Sequence, residues 1–344
     1  MSLLATRMLE LRVSNPDLSK WTLRPSNYGA LDCFMSQTES QMGIITPQLE
    51  AQAARAVGRD VKIPVWDEET VSIGSTRSVT ITDDENDSAL YTVAFTTYAW
   101  GFTVTPAQHS NNEFSMQQDF NRKFMKYMIQ FLKDLDTAAL STLDTNKSQV
   151  FADLLGYTNT ANVISATLAQ RNEVLGALTP MMQANDFFGG YDLVGNMGVS
   201  HLVNQLAEQD VFNDKNKTIQ YLDKNLKYTN RLANIAGKSA TGYVINQGSM
   251  GMLFRQEADA LLGTRLENGT SWGIEVLPGV NIPVSTYYYP AAADVSSFGA
   301  HAAHLTRAAK HHYGFSVDVG FLVSHNSDLT TYASPITKFN IANS

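Results

Sequence analysis

Two histidines three residues apart, His301 and His304, form the tightest candidate metal pair in this 344-residue chain. On a helix that spacing sets two imidazoles on one face, where neutral ring nitrogens can share a zinc ion. His311, His312 and His325 follow, but no carboxylate stands in the zincin arrangement, and Asp294 and Asp318 are the nearest acids. A polar surface or interface helix accounts for the pair better than a metal site does. A metal-dependent enzyme using His301 and His304 is therefore the catalytic alternative.

Other nucleophile and phosphate patterns are incomplete. Ala236-Gly237-Lys238-Ser239 has the end of a phosphate loop, but the position five before Gly237 is Leu232, so the glycine-rich nest is missing. In Gln247-Gly248-Ser249-Met250-Gly251 the glycine adjoins the serine instead of standing two before it, which a nucleophile elbow requires. Asp134 and Asp136 fall on different faces of any helix and make no acid/base pair. Cys33 is the only cysteine, so neither an intrachain disulfide nor a thiolate zinc cluster is available. No catalytic residue and no cofactor is assigned from these patterns.

The elements that would position these residues read as follows. Residues 1 to about 55 mix short helical patterns with breakers at Pro16, Pro25, Gly29, Gly43 and Pro47, and Leu49 to Val57 suits a short helix stopped by Gly58. Two readings stay open for this stretch: an arm across a neighbouring subunit, or a terminus packed on its own domain. Val61–Trp66, Val71–Thr82 and Leu90–Thr105 are rich in Val, Ile, Thr, Tyr and Phe and read as strands. Between the last two lies the acidic turn Asp83-Asp84-Glu85-Asn86-Asp87-Ser88. Tyr91, Val93 and Phe95 alternate with small or polar residues, so the expectation is a long hairpin with a charged tip. A second strand of about 14 residues would reach ~47 Å. Such an arm needs a second surface beneath it; folding back into an ordinary sheet is the alternative.

Phe120, Phe124, Tyr127, Met128, Phe131, Leu135, Ala138 and Ala139 recur at steps of three and four, opposite Gln118, Arg122, Lys123, Lys126, Lys133 and Asp134. The spacing predicts an amphipathic helix over Asn112–Leu143, ~45 Å long. Arg122, Lys123 and Lys126 form either a solvated face or a contact for an acidic partner. Beyond Gly156 the pattern is α+β or α/β. Helices are expected over Asn162–Ala177, Val199–Glu208 and Phe298–Lys310, and strands at Tyr191–Val194, Gly242–Ile245, through Trp272–Tyr289 and at Tyr313–Ser324. Met250–Leu262 is mixed, and Asn268-Gly269 reads as a tight turn between strands.

Composition narrows the function class. Hydrophobic residues make up 44% and charged residues only 17%, below the ~25% usual for soluble domains, which fits extensive subunit contacts. A net charge of −8 argues against a protein that grips nucleic acid along its length. It is compatible with enclosing DNA without adhering to it. Met1–Val13 carries Arg7, Glu10 and Arg12 and lacks the apolar run of a secretory signal, and no stretch approaches the ~20 apolar residues of a membrane span. Production and use in a cytoplasm is the expectation.

The order of parts resembles the major capsid protein of tailed double-stranded DNA bacteriophages, with the HK97-like fold. Val61–Thr105 looks like the extended hairpin of that family, the E-loop, and Asn112–Leu143 like its spine helix. Phe187-Phe188-Gly189-Gly190-Tyr191-Asp192-Leu193-Val194-Gly195-Asn196 is similar to the start of the axial domain, and Gly279–Ser285 to a late strand. The resemblance implies an α+β fold divided into an N-terminal arm (1–57), an E-loop (58–108), a peripheral domain with the spine helix (109–165), an axial domain (166–304) and a return to the peripheral domain (305–344). It implies pentamers and hexamers in an icosahedral shell around phage DNA, a separate scaffolding protein, a portal and decoration proteins, with no cofactor and no membrane. The assembly contacts expected on this basis are Asp83, Asp84, Glu85, Asp87, Tyr91, Phe95, Arg122, Lys123 and Lys126. An encapsulin-like compartment shell is the alternative within the same fold.

Overall fold

The structure is a computed structural model. It describes residues 28–39, 44–55, 60–66, 88–105, 116–150, 153–209, 220–221, 224–233, 235–257, 260, 266–267, 270–292, 309–324 and 332–343. Helices α1 (Gly29–Thr38) and α2 (Pro47–Arg55) precede strands β1 (Lys62–Trp66), β2 (Ser88–Thr92) and β3 (Phe95–Val104). The long helix α3 (Met116–Thr145) leads to β4 (Asp153–Leu154), β5 (Tyr157–Thr160), β6 (Val163–Ala166), α4 (Val174–Gln183), β7 (Tyr191–Gly195) and α5 (Met197–Gln209). The remaining strands are β8 (Gln220–Tyr221), β9 (Lys224–Tyr228), β10 (Lys238–Asn246), β11 (Met250–Arg255), β12 (Leu266–Glu267), β13 (Thr270–Val276), β14 (Pro283–Ala292), β15 (Ala309–Val323) and β16 (Ile336–Ala342). The fold is therefore α+β.

At 30 residues, α3 is ~45 Å long. Phe120, Phe124, Met128, Phe131, Leu135 and Ala139 are buried, as their spacing requires, while Tyr127 is exposed and Ala138 half-buried at the edge of the stripe. The buried face lies on a six-stranded sheet. There β3 runs along one side of β15, while β11 and β14 lie end to end along the other, with β13 and β12 beyond β14. Alternation along the strands aims Tyr98, Trp100 and Phe102 of β3, and Tyr313, Phe315, Val317 and Val319 of β15, at the helix. Trp100 stacks on Phe131 at 4.6 Å, and Phe102 meets Phe120 edge-on at 5.3 Å. Each such ring pair contributes about 0.5–1.5 kcal/mol beyond its buried area.

This arrangement corrects the expected arm. Leu90–Thr105 is not one projecting strand: it breaks at Val93-Ala94 into β2, which pairs with β1, and β3, which pairs with β15 from Phe95 opposite Gly320 to Val104 opposite His311. The physical reason is the apolar face of Tyr98, Trp100, Phe102 and Val104, which a free arm would leave in water. Trp66 stands opposite Ser88 at the far end of the β1–β2 ladder. The expected strand Val71–Thr82 and the acidic residues 83–87 lie outside the described residues.

The leading segment is also partly integral to the core. Tyr28, Ala30, Leu31, Cys33 and Phe34 are buried against α3 and the sheet, so residues 28–38 pack on their own domain.

An eight-stranded sheet, ordered β4-β5-β6-β16-β10-β7-β9-β8, forms the second layer with α4 and α5. The expected helix over Asn162–Ala177 is instead β6, one 3₁₀ turn at Leu168–Gln170, and only then α4. Val163 and Ile164 favour the strand, and Thr167 and Gln170 cap the turn reciprocally. Strands of the expected axial segment 166–304 divide between the sheets, with β7 to β10 in one and β11 to β14 in the other. The C-terminal strand β16 joins the eight-stranded sheet, not the six-stranded one. At the end of the helix expected over Phe298–Lys310, Ala309 and Lys310 are strand residues; 298–308 lie outside the described residues.

Candidate functional site

The two sides of the six-stranded sheet carry different chemistry. On the helix side, the aromatic core fixes α3 so that its opposite face points away from the sheet. Arg122 and Lys126 are exposed there, and Lys133 is half-buried. Lys123 is held differently: its ammonium donates to the Thr103 carbonyl at 2.9 Å and pairs with Asp119 at 2.7 Å, tying α3 to β3. Asp134 accepts from the Gln130 amide at 2.8 Å. Among the described residues no carboxylate pairs with Arg122, Lys126 or Lys133.

On the other side lies the stem of the β1–β2 hairpin. Val61 and Val93 join Ile45, Ala53, Leu253 and Leu322 in a small separate core, with Tyr91 and Phe95 packed against it. Leu322 belongs to the set of alternate β15 residues that face away from α3, as does Gly320, where an added Cβ would meet Val93 and Phe95. The Arg255 guanidinium lies 4.5 Å over the Phe95 ring and pairs with Asp318 at 2.9 Å, and Thr97 donates to Asp318 at 2.6 Å. Phe95 thus serves the subunit's own fold. Asp83, Asp84, Glu85 and Asp87 lie outside the described residues, so the expected contact set divides between the two faces and a segment whose stem is anchored on the side away from α3.

Three buried or half-buried carboxylates form joints that the sequence reading passed over. Asp136 is fully buried and accepts from the backbone N–H groups of Ala30 and Leu31, both at 3.0 Å, and from the Thr229 hydroxyl. It caps the first turn of α1 from the side of α3. Burial pushes its pKa up, and the donors from Thr229, Leu31 and Ala30 with the nearby Arg231 charge only partly offset this.

Asp192, on β7, accepts from Gln37 at 2.9 Å, Gln247 at 3.1 Å, Asn225 at 3.4 Å and the Cys33 thiol at 3.4 Å. These partners join α1 and β9 to the Gln247-Gly248-Ser249 turn, through which β10 of one sheet passes into β11 of the other. Gly248 has φ +86° there, a left-handed conformation that favours glycine.

Asp144 binds Lys338 at 2.6 Å, Lys147 at 3.1 Å and the Tyr243 hydroxyl at 2.9 Å. Burial raises its pKa, but those three partners outweigh it and lower the value to about 2.

These joints are structural in their chemistry. Asp192 accepts from four donors, which fix the orientation of its carboxylate. Burial, and next the Asp192 charge, push the Cys33 pKa well up, so the thiol stays protonated and is a poor nucleophile. The clues in sequence were slight: Asp136 adjoins Leu135 inside the apolar stripe, and Asp192 interrupts the apolar run Tyr191–Val194.

The rejected motifs are turns. Gly237 has φ +76° and Ser239 donates to the carbonyls of Ile341 and Ala342, both at 3.3 Å. Ser249 donates to the Asn246 carbonyl at 2.7 Å. His311 shares a 2.7 Å hydrogen bond with the Tyr288 hydroxyl, and His312 stacks on Tyr289 at 4.5 Å. His301, His304 and His325 lie outside the described residues. Among the described residues no three His, Cys, Asp or Glu side chains converge as a metal site, and no helix is long and apolar enough to cross a membrane.

The overall fold is similar to that of chains in bacteriophage capsid structures. A chain of the cyanophage Pam1 capsid asymmetric unit superposes with a TM-score of 0.50 and 10% identity, covering 86% of this chain and 88% of that one. A chain from Mycobacterium phage Che8 gives a TM-score of 0.52 and 10% identity over 87% of this chain and 89% of that one. At such identity the likeness is one of fold. No protein-family profile and no curated protein sequence matches the chain.

Proposed function

We propose that this chain is a phage major capsid protein whose copies assemble as pentamers and hexamers into an icosahedral shell enclosing genomic DNA. The observation that carries the proposal is the fold shared with a capsid chain over nearly the full length of both. The geometry supports it. Among the described residues Asp136, Asp144 and Asp192 serve joints within the chain, while a charged face of α3 points away from the sheet.

In this reading β1, β2 and the residues between them act as the E-loop, α3 as the spine helix, the segment 166–304 supplies the axial domain, and 305–344 returns to the peripheral domain. Asp83, Asp84, Glu85, Asp87, Tyr91, Arg122, Lys123 and Lys126 are the proposed contact region, with Phe95 bracing the hairpin stem. The shell forms in host cytoplasm with a separate scaffolding protein, a portal and decoration proteins, and the chain performs no turnover. Many weak contacts suffice, because every 1.4 kcal/mol added per subunit is about tenfold in association.

The test is a hairpin truncation. Trp66 and Ser88 stand opposite one another, so an Asn-Gly turn can replace residues 67–87 without disturbing the stem. The truncated chain is expected to keep the wild-type melting temperature and sediment as small species under conditions where the wild type forms particles. Particles at normal yield from the truncated chain would overturn the hairpin's role; absence of particles from the wild type with its scaffolding protein would overturn the shell.

A further inference from the structure

We infer that Arg122, Lys126 and Lys133 on α3 form a contact stripe for the phosphate backbone of duplex DNA, so that this face of the subunit lies against the packaged genome. The inference rests on the shell reading above and names the surface that meets the shell's contents. At about 100° per residue the three cations fall within an arc of about 40°, spread over ~16 Å of helix axis. The arc stands opposite Phe124, Phe131 and Leu135, which are buried against the sheet. Among the described residues none of the three cations has a carboxylate partner, whereas Lys123, off the arc, is already neutralised by Asp119. Arg122 and Lys126 stand in the contact region above, and the contact they make is assigned here to DNA.

The local charge runs against that of the chain. The whole carries −8, yet from Met116 to Asp134 the helix holds four cationic and two anionic side chains. Asp119 is taken up by Lys123, and Asp134 lies about 120° around the helix from Arg122, where it accepts from Gln130. Three free cations on an otherwise acidic subunit give each copy a weak, salt-sensitive hold on nucleic acid that still lets it slide.

The stripe fits phosphate better than protein. Its exposed neighbours on the helix, Gln118, Gln130 and Thr137, are polar and uncharged. Among the described residues no exposed aromatic or large apolar side chain lies within the arc, so it lacks the anchor that the centre of a protein interface uses. Amides and hydroxyls beside Arg and Lys are the groups that contact phosphate oxygens. One strand of a duplex carries a phosphate about every 3.4 Å of axis, so the stripe can lie along about five of them.

The test measures binding of a fluorescent duplex of about 30 base pairs to the purified full chain over a series of NaCl concentrations. Three phosphate contacts predict a slope of about −2.7 in log K against log [salt], which makes binding about 40-fold weaker at 200 mM than at 50 mM. R122Q/K126Q/K133Q should bring the slope close to zero at an unchanged melting temperature, while K62Q/R171Q/K238Q, with the same change of net charge elsewhere, should keep it. Acetylation of the wild type gives a second readout that needs no variant to fold: duplex should protect Lys126 and Lys133 and leave Lys62 reactive. A slope that both triple variants lose equally, or Lys126 and Lys133 that stay reactive under saturating duplex, would overturn the assignment. Polyglutamate that protects these lysines more strongly than duplex would overturn it in favour of an acidic protein, and a stripe variant that binds duplex normally but forms no particles would do so in favour of a neighbouring subunit. Wild-type chains that never form particles with scaffold supplied overturn the shell reading, whatever the slope; particles at normal yield without protection of Lys126 and Lys133 leave the shell intact and remove the stripe.

Discussion

Replacing Asp136 with alanine removes one acceptor that three donors from two distant segments share. The carboxylate is fully buried on α3 and takes the Ala30 and Leu31 amides at 3.0 Å each, as well as the Thr229 hydroxyl. Each buried donor left unpaired costs about 1–3 kcal/mol. Water entering the vacated space recovers part of this, and removal of a buried charge recovers more, so the net loss expected is about 3 kcal/mol. Asp136→Asn keeps one carbonyl oxygen for the two amides and presents an NH₂ group that the Thr229 oxygen can accept, so about 1 kcal/mol is expected. Urea unfolding should rank wild type above Asp136→Asn and that above Asp136→Ala. Amide exchange gives the local signature: Ala30 and Leu31 should exchange about 100-fold faster in Asp136→Ala if their opening tracks that loss at 1.4 kcal/mol per tenfold. A variant within about 0.5 kcal/mol of wild type, with unchanged exchange at these two amides, would refute the idea that this carboxylate fastens α1 to α3.

Phe124 is fully buried between Phe120 and Phe315, with ring centroids at 6.0 and 5.5 Å, so Phe124→Ala should lose about 3–5 kcal/mol on chemical unfolding. An added Cβ at Gly198 would stand 1.9 Å from the Ser239 carbonyl oxygen, so Gly198→Ala should lower stability by about 1–3 kcal/mol by forcing α5 off β10. Acid should weaken the Asp144 joint. Its folded pKa of about 2 lies below the ordinary 3.8, so its contribution is complete above the unfolded value and is lost as pH falls towards 2. The shift alone corresponds to roughly 2.4 kcal/mol at 1.36 per unit, but the side chain is 45% exposed, and screening reduces this to about 1 kcal/mol. Asp144→Asn should flatten the stability profile between pH 4 and 2; an identical acid limb in the variant would remove this joint from the account. Asp136 has the opposite sign, since a folded pKa raised above 3.8 makes stability rise as pH falls through that window.

The long helix was the most legible element, because Phe120, Phe124, Met128, Phe131 and Leu135 at steps of three and four admit one periodicity and α3 buries that face. Strands Tyr191–Val194, Gly242–Ile245 and Tyr313–Ser324 were legible for a related reason, as short apolar or alternating runs bounded by Gly, Asn or Ser. The hairpin was legible in its stem and misread in its second half. Alternation in Leu90–Thr105 marks a strand with one buried face but does not name what buries it, and the register with β15 joins residues more than 200 positions apart in sequence. Asn162–Ala177 failed because the β-branched start of that segment outweighs the helix-forming residues after it. The polar joints were least visible. Nothing local in Tyr-Asp-Leu-Val says that Asp192 will meet Cys33, Gln37, Asn225 and Gln247, since those partners converge only when the two sheets are placed. The charged face of α3 was readable from the same periodicity that marks its apolar stripe.

The central claim is that this chain is a shell subunit. Electron microscopy of the purified protein in negative stain, alone and with its scaffolding protein, tests that most directly. The account predicts closed particles of uniform size, or free rings of five and six subunits that close when scaffold is supplied. A chain that stays a monomer or dimer at every concentration tested, with scaffold present, would contradict it.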